Sequence, residues 1–415
     1  MKKREVWKVL VLFLLMGLAG CGENARESAG GKIESNNMEH DKEREELTLW
    51  SYYETTAQKN GLDKLVREYN ASQDKYEVSW EYVPMADFIR NLTFSQSGNN
   101  LPDLVLVDNP DIGSLIKIGL LADITDGLKG NVTVVDYYPE VWKFADENGR
   151  YYGVPFCCNN TAIIYNRKMF EEKNLQIPET WEEFQQAAAT LTNEDCYGFA
   201  MCAVGGEQGA FQFMPWMLAA GANTKDMTNE KGKEAFLLMD YLLQMKCMPN
   251  DCMNWSQNDL ARSFIAGEVA MMENGPWALA ALEESGMDYG IFRFPAHSDA
   301  GVVLGGEVLA AIEGKHVDGA VSFISYYNRD EVMEDICQIT GNIPPRKKLA
   351  GQFGDRNDNY RVFVEQMPDG ISRKSVKDWK KVCSALSDSL NKMFGSEQGV
   401  EQIWQDYVKN MERGM

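Results

Sequence analysis

The chain is 415 residues long, past the roughly 250–300 residues at which single cores stop growing, so two domains are the default. Its residues are 44% hydrophobic and 11% aromatic, with 18 Phe, 17 Tyr and 10 Trp, which excludes a disordered polypeptide. Acidic residues outnumber basic ones 62 to 41, and a formal charge of -21 disfavours phosphate backbones and anionic headgroups, so nucleic acid is excluded as a partner.

Lys2, Lys3 and Arg4 form a cationic start, and Val9 to Met16 is an unbroken apolar run. It is too short to span a bilayer and suits the apolar core of an export signal over residues 1–20. Leu18-Ala19-Gly20-Cys21 resembles the bacterial lipobox, in which the cysteine thiol takes a diacylglycerol. That resemblance implies that Cys21 is lipidated and anchors the chain at the extracytoplasmic face of the cell membrane. Residues 21–45 are mostly Gly, Ser, Asn, Glu and Lys, too polar to bury a core, and read as a flexible tether.

The folded body opens with a β-rich run at Leu47-Thr48-Leu49-Trp50-Ser51, and Leu62, Leu65, Val66 and Tyr69 then recur at helical spacing. The pair repeats as Tyr76 to Val83 with Phe88, Ile89 and Leu92, and again as Asp103 to Val107 with Ile112, Leu115 and Ile116. Such alternation predicts an α/β protein with a mainly parallel sheet covered by helices on both faces. An apolar stretch Thr161 to Tyr165 then leads to Pro178-Glu179-Thr180-Trp181, where Thr180 and Glu183 form a capping box at a helix start. Helices dominate to about Glu284. Val302 to Ile312 reads as one strand, Val317, Val321 and Ile324 as a helix stripe, and Trp379, Val382, Leu386, Leu390 and Met393 as a long amphipathic helix. The eight cysteines beyond Cys21 lie in apolar surroundings without metal-ligand spacing, as buried thiols do, although the nearby Cys247 and Cys252 also allow a bridge.

Several segments, taken in order, resemble one family. They are Leu101-Pro102-Asp103-Leu104-Val105-Leu106-Val107-Asp108 with Gly119-Leu120-Leu121, Tyr152-Gly153-Val154-Pro155 with Tyr165-Asn166, and Pro178-Glu179-Thr180-Trp181. Further on come Phe264 to Met272 with Gly275-Pro276-Trp277, then Leu304-Gly305-Gly306, then Gly341-Asn342-Ile343-Pro344-Pro345-Arg346. Together they resemble the extracellular solute-binding proteins (family 1) of carbohydrate-uptake ABC transporters, which include maltose-, trehalose- and glycerol-phosphate-binding proteins. The resemblance implies a periplasmic-binding-protein-like fold of type II: two α/β lobes with a ligand cleft between them. Carried onto this chain, the N-terminal lobe spans residues 46–158 plus 305–350 and the C-terminal lobe 159–304 plus 351–415. It further implies a monomer that captures a mono- or oligosaccharide and delivers it to transporter permease subunits, with no cofactor and no metal.

A sugar offers apolar C–H faces and many hydroxyls, so its site needs aromatic platforms beside carboxylates and amides. Trp277 follows Gly275-Pro276, and the resemblance gives it the role of stacking on a sugar ring; core packing is its alternative. Asp108 ends the strand Leu104 to Val107, where ligands of open α/β sheets bind, whereas Asp103 at its start suits a structural role. The run Asn109-Pro110-Asp111 lacks the aromatic that many relatives place there. Tyr52, Tyr53 and Glu54 follow the first strand at the equivalent edge, Asn159 and Asn160 sit at a lobe crossing, and Glu307 follows the flexible Gly305-Gly306. Trp216 and Trp379 are reserves with core packing as the favoured role. Three rivals stand beside this reading. The first is a polyamine site using the acidic residues, and the second a ferric-iron site on Tyr326-Tyr327. The third is a surface carbohydrate-active enzyme using Asp108 and Glu307, for which the chain offers no nucleophile motif.

Overall fold

A computed structural model describes residues 44–98, 100–298 and 301–413. The export signal, Cys21 and the tether up to residue 43 lie outside the described residues. Glu45, assigned to the tether from sequence, instead begins the first strand. The strands in chain order are β1 (Glu45–Ser51), β2 (Tyr76–Tyr82), β3 (Leu104–Asp108), β4 (Asp146–Glu147), β5 (Arg150–Tyr151) and β6 (Gly153–Pro155), followed by β7 (Ala162–Asn166), β8 (Met271–Asn274), β9 (Tyr289–Phe292), β10 (Val303–Leu304), β11 (Glu307–Ala311) and β12 (Ile371–Ser372).

Alternation in β1 turns Leu47, Leu49 and Ser51 inward, and the helix that follows, Thr56–Ser72, lays Leu62, Leu65 and Tyr69 over them. Thr55 starts that helix through a reciprocal capping box with Gln58. β1, β2 and β3 run parallel in a five-stranded sheet of order β2-β1-β3-β11-β6. All five residues of β3 are buried, as expected of a strand covered on both faces. β11 enters beside β3 antiparallel, and its register sets Glu307 directly opposite Asp108.

A second, three-stranded sheet of order β8-β7-β9 carries the other half of the fold, and its neighbours are mostly helices. Helix Trp181–Leu191 begins at Thr180 with Glu183 completing the capping box that the sequence predicts. Helix Glu207–Ala219 is buried from Gly209 to Ala219, which is why it shows no polar face.

The stretch Val302 to Ile312 is not one strand. It breaks at Gly305-Gly306 into β10, which pairs with β12, and β11, which joins the five-stranded sheet. Gly306 sits at φ +127, and a Cβ there would lie 2.3 Å from the Cys157 carbonyl, so glycine alone allows the turn from one sheet to the other. Three chain crossings run side by side here. Asn159 N donates to Gly305 O at 3.1 Å and Gly305 N to Asn159 O at 2.8 Å, while Cys158 N donates to Ile343 O at 2.9 Å and Ile343 N to Cys158 O at 3.1 Å. The eight cysteines of the described residues are free thiols, so Cys247 and Cys252 are not bridged. Among the described residues no helix is long and apolar enough to cross a membrane.

Candidate functional site

A cleft of about 380 Å³ opens where the strand ends of the five-stranded sheet meet the crossings and the helical half. The sheet contributes Tyr52, Glu54 and Asp108, the crossings Asn159, Glu307 and Asn342, and the helical half Glu207, Phe211, Asn258, Trp277 and Arg373.

Glu307 stands at its floor with three donors behind it. Tyr52 Oη donates to Oε1 at 3.1 Å, Tyr53 Oη to Oε2 at 3.2 Å and Cys157 Sγ to Oε2 at 2.7 Å. Burial, reinforced by Glu307 and neighbouring groups, pushes Tyr52, Tyr53 and the Cys157 thiol well above their usual values, so all three keep their protons and serve as donors.

Asp108 is not a free acceptor. The Arg373 guanidinium takes both its oxygens and also reaches Glu207 with Nη1 at 2.5 Å. Burial works to raise the Asp108 carboxyl above its usual value, and Arg373 pulls against it. Burial also works against the Arg373 charge, yet Asp108 and Glu207 outweigh it and hold the group above its ordinary value. Phe211 lies beneath the guanidinium, 4.7 Å from ring centroid to Cζ.

Trp277, in the short turn Pro276–Ala278, presents a half-buried ring to the cleft, with its centroid 6.4 Å from that of Phe211. Phe211 is 5% exposed and its ring lies under Arg373, so Trp277, with Tyr52 and Tyr82 on the opposite side, is the aromatic surface open to an apolar ligand face. Across the mouth, Asn258 Nδ2 donates to Glu54 Oε1 at 2.6 Å.

Two residues singled out from sequence lie off the wall. Tyr53 is buried behind Tyr52 and receives a hydrogen bond from Asn342 Nδ2 at 3.2 Å. Asn160 is fully buried, donating to Phe363 O at 2.8 Å and accepting from Gln366 Nε2 at 2.9 Å. In extended chain successive side chains point opposite ways, so of Tyr52-Tyr53 and of Asn159-Asn160 only the first of each pair faces the cleft. The reserves are core residues. Trp216 is wholly buried and donates to Glu273 at 2.7 Å, and Trp379 donates to both Glu207 oxygens at 3.1 Å. Tyr327 is also core, its hydroxyl on the Phe156 carbonyl, and Tyr326 packs edge-on against Tyr69, so the pair forms no iron site. Among the described residues no group of His, Cys, Asp and Glu is arranged to hold a metal.

Sequence reasoning missed Arg373, Glu207, Phe211 and Asn258, which carry no motif or periodicity marking them for a cleft. Asn342 lay within the quoted Gly341-Asn342-Ile343-Pro344 segment and was open to detection there.

Comparison with known proteins places these features in a family setting. Residues 64–359 match the family described as bacterial extracellular solute-binding protein. The chain is 23% identical over 378 residues to the multiple sugar-binding protein of Streptococcus mutans, covering 80% of this chain and 86% of that one. It is 22% identical over 377 residues to the maltotriose-binding protein of Pyrococcus abyssi, covering 85% and 79%. Among solved structures, the GacH receptor of Streptomyces glaucescens matches with a TM-score of 0.79 at 20% identity, over 89% of this chain and 97% of that one. The maltose-bound MalE3 of T. maritima matches with a TM-score of 0.80 at 17% identity, over 88% and 99%.

Proposed function

The chain belongs to the bacterial extracellular solute-binding protein family, and from that premise we propose that it captures a mono- or oligosaccharide in its cleft and hands it to the permease subunits of an ABC importer. The observation that carries this reading is one cleft that sets the Trp277 and Tyr82 rings among directional polar groups, Tyr52, Asn159, Asn258 and Glu307. Rings serve the C–H faces of a sugar, and the polar groups serve its hydroxyls. The sugar-binding names of the relatives point the same way.

The chain acts as a monomer, without cofactor or metal, and binds without turnover. Asp108 spends both oxygens on Arg373, which leaves the Asp108 and Glu307 pair without the free acid and base that glycoside hydrolysis needs. Cys21 is its lipid anchor at the extracytoplasmic face. A thermal-shift screen of glycans tests the main reading, because a ligand bound only by the native state raises the melting temperature with concentration. A glycan that stabilises the protein and is recovered intact supports it; cleavage of that glycan sinks the non-enzymatic part. Cys21→Ala should move the protein from the membrane fraction to the soluble one, and retention in the membrane would overturn the anchor.

A further inference from the structure

Resting on the carbohydrate reading above, we propose that the cleft selects its sugar by charge, taking uncharged or amine-bearing sugars and rejecting acidic ones, with Glu307 as the residue that sets the rule. Among the described residues the cleft is lined by four carboxylates, Glu54, Asp108, Glu207 and Glu307, and a single cation, Arg373. Arg373 is 3% exposed and is already committed to two carboxylates: Nη2 to Asp108 Oδ1 at 2.6 Å, Nη1 to Asp108 Oδ2 at 3.0 Å, and Nη1 to Glu207 Oε1 at 2.5 Å. Its charge is more than balanced before any ligand arrives. The helix Glu207–Ala219, whose positive end would favour an anion, carries its own carboxylate at the first position.

Glu307 has no such balance. Its partners are two phenols and a thiol, Tyr52, Tyr53 and Cys157, none of which is a cation. A carboxylate offers roughly four acceptor positions on its two oxygens. Tyr53 and Cys157 occupy Oε2 and Tyr52 one position of Oε1, so a single acceptor position remains, on Oε1, the oxygen bonded by the cleft-lining Tyr52. A hydroxyl or an ammonium group satisfies that position. A uronate or phosphate oxygen brings no donor and sets like charges together in a half-buried site, where water screens them weakly. Tyr53 and Cys157, off the wall, act as positioning residues that aim the carboxylate.

The test uses the purified full chain. A thermal-shift panel of neutral gluco-, galacto-, manno- and xylo-oligosaccharides, their uronic-acid and phosphate counterparts, free-amine chito-oligosaccharides and spermidine identifies the strongest binder, and calorimetric titration then compares it with its acidic counterpart. The neutral or amine-bearing sugar is expected to bind at least about ten-fold more tightly. In Glu307→Gln that gap should shrink to less than about three-fold, and Tyr53→Phe should shift it in the same direction by less. The wild-type comparison decides the question even if a variant fails to fold. An acidic sugar that binds within about three-fold of its neutral counterpart, or a gap unchanged in Glu307→Gln, overturns the proposal. Stabilisation by spermidine alone, lost in Glu307→Gln, would overturn the carbohydrate reading while upholding the charge rule. A panel with no binder at all counts against both.

Discussion

Arg373 and Asp108 meet as a two-pronged ion pair in which Nη2 lies 2.6 Å from Oδ1 and Nη1 3.0 Å from Oδ2. Asp108 ends β3 of the five-stranded sheet and Arg373 follows β12 of the small β10–β12 pair, so the contact ties two separate sheets at the cleft floor. Arg373→Ala strands Asp108 in a buried site, while the part-exposed Glu207 keeps its bonds from Trp379. Breaking a buried pair in this way costs roughly 3–5 kcal/mol, to be measured as a fall in unfolding free energy in urea. Arg373→Lys keeps the charge but not the fork, and should fall between wild type and Arg373→Ala.

Trp277 and Trp216 should respond differently to truncation. Trp216 is wholly buried and hydrogen-bonded to Glu273, so Trp216→Ala is expected to lose roughly 3–5 kcal/mol of stability. Trp277→Ala should instead lose on the order of 2 kcal/mol of binding to whichever sugar the screen identifies. Calorimetry beside melting curves separates the two. Intact affinity with a melting temperature lowered as far as that of Trp216→Ala would make Trp277 a packing residue.

Glu273 predicts a pH dependence. It is wholly buried, bonded only to Trp216 Nε1 at 2.7 Å and Thr161 Oγ1 at 2.9 Å, and burial raises its carboxyl well above the usual value against the pull of those two bonds. A group whose folded value is raised contributes stability below its unfolded value, about 4.3, and loses it as pH rises through the folded one. The contribution of Glu273 should therefore make the melting temperature decline as pH rises above about 4.3. Glu273→Gln keeps the acceptor for Trp216 and offers a donor to Thr161, so it should flatten that decline and match or exceed wild type at the upper end. A steeper decline in the variant would refute the assignment.

At Gly306 a methyl group would meet both a forbidden φ of +127 and the Cys157 carbonyl at 2.3 Å. Gly306→Ala is expected to cost roughly 1–3 kcal/mol or more of stability and to weaken ligand binding, because Glu307 is the next residue. Gly314→Ala, at a positive φ with open space around it, is the control that isolates strain from clash.

Three chain crossings in one place form a natural hinge, and the Asn258 to Glu54 hydrogen bond of 2.6 Å closes the mouth opposite. X-ray scattering should show a smaller radius of gyration on saturation with ligand. Asn258→Ala should enlarge the ligand-free radius; identical curves for free and saturated wild type would exclude closure.

Much of the fold was legible in the sequence because it depends on local periodicity. The alternation around β1, β2 and β3, the capping box at Thr180 and the all-apolar β3 are each dictated by residues within one or two turns of chain. The end of β3 could be located too, and with it Asp108, and the Gly305-Gly306 pair drew attention to Glu307, although nothing local showed that register would set the two carboxylates face to face. What tertiary structure alone decided is phase and partnership. A tyrosine or asparagine pair looks the same whichever member faces the cleft, since the alternation of period two is set by the sheet the segment joins, and this put Tyr53 and Asn160 inside. The single strand expected from Val302 to Ile312 failed because Gly305-Gly306 interrupts its apolar run, a break visible in the chain, although which sheet each piece joins is decided only by tertiary structure. Arg373 lies 265 residues from Asp108 and 166 from Glu207. Its charge is visible in the chain, but whether that charge faces a ligand or is consumed by two carboxylates depends on distances that exist only once both halves of the fold have closed around it.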